Sequence, residues 1–227
     1  MATLITDING NPNVGIYCYA TNKYLIIGRE VEKRKADMIG KTLGLEPIIT
    51  SIAGTSLVGV FIAGNDEKLL VPGIAKKEEI SFLKKKLQEI GVEIGILDTR
   101  LTALSNNILI NNNAAIVSPE YSKGEIERIA RFFGVETRKS MLGGTHVPGS
   151  LVVMNNRNAA ISNLLSSREE EMIKELLRVE TERVSVNMGS PFISSGVVVN
   201  NNGLIIGNAT GGAEAAMIEQ ALMGWNK

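Results

Sequence analysis

GVVVNNNGLIIG, at residues 196–207, is the stretch that decides the fold. It contains two short apolar runs typical of β-strands, separated by a turn of three Asn and one Gly. Asn and Gly adopt the positive φ angles of tight hairpin turns more readily than other residues do. The stretch therefore predicts a β-hairpin whose second strand is centred on Ile205.

The same pattern occurs five times along the 227 residues. One apolar residue can be taken from the centre of each second strand, and these residues are separated by 44, 46, 45 and 44 positions. They are Ile26, Leu70, Ile116, Ile161 and Ile205. Spacing this regular indicates an internal repeat of about 45 residues.

Each hairpin is expected to begin with an extended apolar strand. VGIYCYATN at 14–22 and SLVGVFIAGND at 56–66 are examples of such first strands. In both, an apolar segment runs without interruption into a turn that contains Asn.

A helical pattern follows each hairpin. In the second unit, Ile80, Leu83, Leu87 and Ile90 recur at helical spacing and predict one buried stripe opposite several lysines. Four of the five helices are expected to end at a glycine, namely Gly44, Gly91, Gly134 and Gly224. A short strand then follows in four units, so each unit is a hairpin, a helix and a third strand.

The fifth unit lacks a third strand, whereas TLIT at 3–6 is an apolar strand that belongs to no unit. We expect this N-terminal strand to complete the fifth unit. The predicted fold is α/β, a single domain in which five units form a closed pseudo-five-fold ring with strands inside and helices outside. The approximate units are 13–54, 55–100, 101–147, 148–192 and 193–227, the last completed by 1–12. An open solenoid is the alternative, and it would need polar capping repeats at both ends.

The overall charge of the chain excludes some classes of partner. Lys and Arg number 24, as do Asp and Glu, so the formal net charge is zero. A generic polyanion-binding protein needs excess basic charge to displace counterions, and aromatic residues for base stacking make up only 4% of the chain. No apolar run approaches the ~20 residues of a membrane helix, and Asp7 interrupts the N-terminal segment where a secretory leader would be apolar. We therefore expect a cytoplasmic protein that does not bind membranes.

Reactive side chains are scarce. The only cysteine is Cys18, in an apolar strand, and the only histidine is His146, in a loop rich in Gly and Pro. A zinc site would need more Cys or His ligands, and a nucleophilic Cys needs a base beside it. We expect no catalytic residues, no metal, no cofactor and no small-molecule substrate. A ring enzyme that uses a Cys–His pair, or a ring that serves as a ligand-binding scaffold, remains an alternative.

Charged and polar clusters have ordinary structural interpretations. Glu169 to Glu171 would complement the dipole of the fourth helix, and Thr210 is expected to lie in the N-cap region of the fifth. The basic runs at 33–35 and 84–86 are interpreted as solvated helix faces, with a phosphate-contacting patch as the less favoured hypothesis. Asparagines at the hairpin turns should gather on one rim of the ring, which makes Asn65 and Asn156 candidates for partner binding.

Six motifs resemble the translation initiation factor 6 family and occur in that family's order. They are GNPNVG at 10–15, SIAG at 51–54, LLVP at 69–72, RLTALSN at 100–106, VNMGS at 186–190 and ISSGVVVNN at 193–201. The resemblance implies the pentein or α/β-propeller fold. It also implies a non-enzymatic monomer of the archaeal type that binds the large ribosomal subunit, beside the sarcin–ricin loop of rRNA and neighbouring ribosomal proteins. There it would block association with the small subunit.

The resemblance also suggests site residues. The motif at 100–106 implies that Asn106, with Arg100 nearby, faces the ribosome. Ser105 stands where the family usually has Gly, and Asn111-Asn112 stand where it often has Asn-Asp, which leaves the shape of these loops open. Because the net charge is zero, binding is expected to use a local face and to depend only weakly on salt.

Overall fold

The computed structural model describes residues 2–224 and contains five three-stranded sheets. In each sheet a central strand pairs antiparallel with a first strand and parallel with a third strand. The first strands are Cys18–Ala20 (β2), Ala63–Gly64 (β5), Ile108–Ile110 (β8), Val152–Met154 (β11) and Val197–Val199 (β14). The central strands are Leu25–Gly28 (β3), Lys68–Pro72 (β6), Ala114–Val117 (β9), Asn158–Ser162 (β12) and Gly203–Gly207 (β15). The third strands are Ala2–Thr6 (β1), Pro47–Thr50 (β4), Glu93–Leu97 (β7), Glu136–Lys139 (β10) and Glu180–Val184 (β13).

Strand β1 completes the fifth sheet. It pairs in parallel with β15, from Ala2 opposite Gly203 to Thr6 opposite Gly207. The predicted pairing of the N-terminal strand with the fifth unit is confirmed. The fold is mixed α/β, and its five repeated units are consistent with the pentein fold.

One helix of eleven or twelve residues follows each hairpin: Lys33–Leu43 (α1), Lys77–Gln88 (α2), Lys123–Phe133 (α3), Ser167–Leu177 (α4) and Gly212–Met223 (α5). Gly44 and Gly134 end α1 and α3 in the left-handed conformation that favours glycine. The expectation for Ile90 was wrong. Because α2 ends at Gln88, Ile90 lies beyond the buried stripe and is 43% exposed. None of the helices within 2–224 combines the length and apolar character needed to cross a membrane.

A short helical turn precedes each first strand, and in the first two units it occupies part of the strand predicted at 14–22 and 56–66. These turns are Val14–Ile16, Val58–Phe61, Leu104–Asn107, Pro148–Ser150 and Ile193–Gly196. They pack closely on one another: a Cβ atom at Gly59 would lie 2.0 Å from the carbonyl oxygen of Gly15. The prediction of a continuous strand was wrong because short apolar segments have the same sequence pattern in a buried strand and in a buried turn.

Five apolar clusters form the core, and each joins two neighbouring units. The cluster of the second unit includes Tyr24 and Ile26 from the first unit. The cluster of the first unit includes Val198 and Ile205 from the fifth. Contacts between units therefore run in a closed cycle. Full burial of one such side chain contributes about 1.5–3 kcal/mol, so the cycle is held together mainly by its apolar core.

Candidate functional site

All five first strands line one central channel with a cavity of about 130 Å³. Each first strand runs from its short helical turn to its hairpin turn, so the channel has two different ends. We call these the short-helix end and the hairpin end. At about 3.3 Å per residue, the two ends are on the order of 15 Å apart.

Five residues close the hairpin end of the channel, and we call them the amide ring. They are Asn22, Asp66, Asn112, Asn156 and Asn201. At four of the five steps between neighbouring units, a side-chain oxygen of this set accepts a hydrogen bond from the backbone N–H of its neighbour in the preceding unit. The distances from backbone N to Oδ1 are 2.8 Å for Asn22 to Asp66, 3.1 Å for Asp66 to Asn112 and for Asn112 to Asn156, and 2.8 Å for Asn201 to Asn22. The predicted gathering of hairpin asparagines on one rim is confirmed, but their amides are largely engaged with one another.

Asp66 is the only acid in the amide ring. Its Oδ2 atom accepts hydrogen bonds from the Nδ2 atoms of Asn22 at 3.0 Å, Asn112 at 2.6 Å and Asn156 at 3.0 Å. Burial raises the pKa of this carboxyl, but the amide donors outweigh burial and hold its pKa below the usual value. The ring therefore holds an ionised carboxylate that is saturated with donors.

The two candidates from the rim argument differ in exposure. Asn65 is only 7% exposed, and its Oδ1 atom accepts hydrogen bonds from the N–H groups of Glu67 and Lys68. This side chain shapes the hairpin turn. Asn156 is half-buried, and both its amide atoms bond within the amide ring.

Asn106 lies in the short helical turn of the third unit, and Arg100 lies in the loop that precedes this turn. Asn106 is half-buried and borders a shallow depression of about 430 Å³, which also includes Val60, Val147 and Phe192. Arg100 is exposed in the loop that leads into this short helical turn. Ser105 lies within the short helical turn Leu104–Asn107. A Ser in place of Gly at this position therefore leaves the turn intact.

The short-helix end also exposes large apolar side chains. Phe192 is 43% exposed and Met188 is 86% exposed. Three others lie in the loops at this end, namely Ile74, Met141 and Leu164. Among the described residues, the hairpin end has no comparable group. Ile90 is the single exposed large apolar side chain found there. Of the two ends, the short-helix end is therefore the one suited to contact a partner.

Four glutamates fix the loops of the short-helix end, and sequence analysis missed their role as a set. They occupy the third position of helices α2 to α5 and are separated by 46, 44 and 45 residues: Glu79, Glu125, Glu169 and Glu214. Glu79 accepts hydrogen bonds from Ser51 Oγ at 2.7 Å and from the N–H groups of Ala53 at 2.8 Å and Gly54 at 2.9 Å. Their regular spacing is the signal that could have identified them.

Two expectations for these helix starts can now be compared with the structure. Glu169 and Glu170 lie in the first turn of α4, as the helix-dipole interpretation predicted. Thr210 lies in the N-cap region of α5 as predicted, immediately before the N-cap residue Gly211. The Thr210 hydroxyl accepts a hydrogen bond from the backbone of Asn187 at 3.1 Å and so supports the preceding loop.

Cys18 and His146 have separate environments. Cys18 is 3% exposed among apolar residues, and burial raises the pKa of its thiol to about 12. His146 is exposed, and its Nδ1 atom lies 2.8 Å from the carboxylate of Glu120. A thiol that stays protonated and lacks a nearby base is a poor nucleophile. Within 2–224, no three His, Cys, Asp or Glu side chains form a group that could hold a metal ion.

The chain is similar to known proteins over nearly its whole length. A model of the eIF-6 family matches residues 3–221. Translation initiation factor 6 from Staphylothermus marinus is 35% identical over 215 residues, covering 95% of both chains. Translation initiation factor 6 from Pyrococcus horikoshii is 31% identical over 218 residues, covering 95% of this chain and 96% of the other. A solved structure of DDAH from Pseudomonas aeruginosa, complexed with citrulline, overlaps 91% of this chain and 71% of that one. Its identity of 13% and TM-score of 0.49 are too low to bear on activity.

Proposed function

Since the chain belongs to the eIF-6 family, whose relatives described above are named translation initiation factor 6, we propose that it binds the large ribosomal subunit and prevents association with the small subunit. The mechanism is steric exclusion. It requires a rigid body on the intersubunit side and no chemical step, so the protein acts without a cofactor and is not an enzyme.

The observation that carries this proposal is the depression beside Asn106, whose lining includes the exposed apolar side chain of Phe192. Contiguous apolar surface rimmed by polar residues is typical of protein interaction sites. The depression at the short-helix end has this character, since Phe192 and Val147 are bordered by Asn13, Asn106 and Ser190. The binding face is therefore the short-helix end, with Asn106 and Arg100 as contact residues. Asn65 and Asn156, at the other end of the channel, are second-rank candidates.

The architecture supports the same mechanism. We propose that the closed cycle of contacts is a pseudo-five-fold ring, with the strands inside, the helices outside and a single domain built from the five repeats. A ring whose units share apolar clusters resists deformation, because opening any one contact exposes buried surface. Such a cytoplasmic monomer would bind the large subunit through one flat end. The rest of its volume would occupy the space that the small subunit needs. A standard interface of about 800 Å² per partner fits one end of it.

The experiment is a sedimentation assay with purified ribosomal subunits of an archaeon. The wild-type protein should co-sediment with the large subunit and reduce the joined fraction. Asn106→Arg should weaken both effects, since a long charged side chain would fill the depression beside Phe192. Phe192→Asp should act in the same direction by placing a carboxylate on the apolar surface.

Met217→Asp is the matched control. Met217 is 51% exposed on α5, outside the short-helix end, so this variant should sediment like the wild type. Melting curves of all variants should coincide within a few degrees. Equal co-sedimentation of Asn106→Arg and wild type would overturn the assignment of the face. No binding of the wild type to either subunit would overturn the proposed function.

A further inference from the structure

Basic and acidic residues are unevenly distributed among the long helices, although the chain as a whole has a formal net charge of zero. Counted with the residue at each end, α1 carries four basic and two acidic residues, and α2 carries five basic and three acidic ones. Helix α4 carries three basic and four acidic residues, and α5 carries no basic and two acidic ones. The zero net charge therefore hides a basic side and an acidic side.

The two basic helices are neighbours on the molecular surface. Both α1 and α2 pack against strand β4, which lies between them. Their apolar sides are already buried, with Ile39 and Leu43 of α1 and Leu83 and Leu87 of α2 fully inaccessible. What remains outside is mostly polar, although Met38 is 42% and Phe82 39% exposed, and we call this surface the basic helix pair. Its exposed cations include Lys33, Arg34, Lys41, Lys77, Lys84 and Lys85.

The cations of the basic helix pair are available to a ligand. Lys35 faces Asp7 and so is neutralised, and Glu79 is committed to the loop at 51–54. Among residues 2–224, none of the ion pairs includes the six exposed cations just named. These two contacts remove one base and one acid, so the pair keeps the net charge of about +4 that the residue counts give.

The faces presented by these helices carry hydrogen-bond donors at helical spacing. Ser81, Lys84, Lys85 and Gln88 line one shallow groove on α2, together with the acid Glu89 at its end. Residues i, i+3, i+4 and i+7 lie on one side of a helix. Lys, Arg, Ser and Gln are the side chains that commonly contact phosphate oxygens in nucleic-acid complexes.

We propose that the basic helix pair binds the phosphate backbone of double-stranded RNA. A lipid surface fits less well, because amphipathic helices that enter membranes need a free apolar face, and both helices have buried theirs except for Met38 and Phe82. The inference rests on the charge distribution of α1 and α2 alone and not on the proposed subunit binding. It adds a second surface to the short-helix end, with affinity that comes from charge and not from shape.

The test is fluorescence anisotropy with a fluorescein-labelled RNA duplex of about 20 base pairs, slightly longer than the ~16 base pairs a typical double-stranded RNA-binding domain spans. Salt is varied between about 50 and 200 mM, where each phosphate contact contributes roughly 0.7–0.9 to the slope of log affinity against log salt. Three to five contacts predict a slope of about −2 to −4. The double substitution Lys84→Glu with Lys85→Glu should weaken binding at least tenfold and reduce the slope by about two.

The matched control makes the same change in net charge elsewhere. Lys123→Glu with Arg168→Glu reverses two exposed cations on α3 and α4, and should leave most of the affinity intact. Equal loss in both double variants, or no binding of the wild type, would overturn the proposal. So would binding to vesicles of phosphatidylserine and phosphatidylcholine without binding to the duplex. Asn106→Arg should bind the duplex normally, which separates this surface from the one proposed for the ribosomal subunit.

Discussion

Asp66 and Asn156 meet across the hairpin end of the channel, where Asp66 Oδ2 accepts a hydrogen bond from Asn156 Nδ2 at 3.0 Å. The two residues are 90 positions apart and belong to the second and fourth sheets, which are not neighbours in the cycle of contacts. The same oxygen also accepts hydrogen bonds from Asn22 and Asn112. One carboxylate therefore connects four of the five units.

Replacing Asp66 with Ala should lower the free energy of unfolding. The substitution leaves three amide donors without their shared acceptor, and partly buried donors that lose a charged partner cost about 1–3 kcal/mol. We expect a loss of about 2–4 kcal/mol in total, measured by urea unfolding. Asp66→Asn keeps one acceptor oxygen and should give a smaller loss. A midpoint equal to that of the wild type would show that the amide ring contributes nothing to stability.

Glu79 should make stability depend on pH in the acid range. Burial raises the pKa of this carboxyl, but the N–H groups of Lys76, Gly54 and Ala53 and the Ser51 hydroxyl lower it by more, so its pKa falls below the usual value for a glutamate. A folded-state pKa below the unfolded value means that the ionised group stabilises the protein above the unfolded pKa. This contribution is lost as the pH falls through the folded pKa.

The test for Glu79 compares the wild type with Glu79→Gln, which cannot ionise. At pH 7 the wild type should have the higher melting temperature. The difference should shrink as the pH falls below the unfolded-state value of about 4.5. A difference that stays constant from pH 7 to pH 3 would contradict the assignment of the charge as the stabilising element.

The repeat, the hairpins, the helices and the pairing of β1 with the fifth sheet could all be predicted from the sequence, because regular spacing and turn residues are local signals. The one-turn helices could not. Val58 to Phe61 are apolar and largely β-branched, and only contacts between units decide whether such a segment forms a turn or a strand. The rim argument singled out Asn65, although the spacing of 44 residues from Asn22 points to Asp66. Whether a turn residue bonds to its own hairpin or to the next unit depends on tertiary structure, which spacing alone does not reveal.

Two glycine-to-alanine substitutions should have opposite effects. At Gly149 a Cβ atom would lie 1.8 Å from the carbonyl oxygen of Ser105, so two short helical turns would be forced apart. We expect a loss of about 3 kcal/mol or more. Gly124 lies in α3 with no atom within 4 Å of the added methyl group, so Gly124→Ala should stabilise the protein by up to about 1 kcal/mol. Thermal unfolding of both variants measures the contrast. Equal melting temperatures would show that the structure accommodates a methyl group at position 149.

Removing residues 1–9 should open the fifth sheet. Strand β15 would lose its parallel partner, and the apolar cluster of the first unit would lose Ile8, which is fully buried. A loss of about 4 kcal/mol would lower the melting temperature by roughly 8–16 °C for a chain of this size. A synthetic peptide of residues 1–9 should restore part of the loss in proportion to its concentration. An unchanged melting curve after truncation would contradict the closing role of β1.

The pairing of β1 with β15 has a consequence for the order of folding during synthesis. Strand β1 leaves the ribosome before its partner β15, which is made about 200 residues later, and at 5–20 residues per second this takes roughly 10–40 s. During that interval β1 has a free edge, and Ile5 adds exposed apolar surface even in the finished protein. Closure over so long a stretch of chain is entropically slow. We therefore expect the four internal sheets to form as the chain emerges, and the fifth sheet to form last.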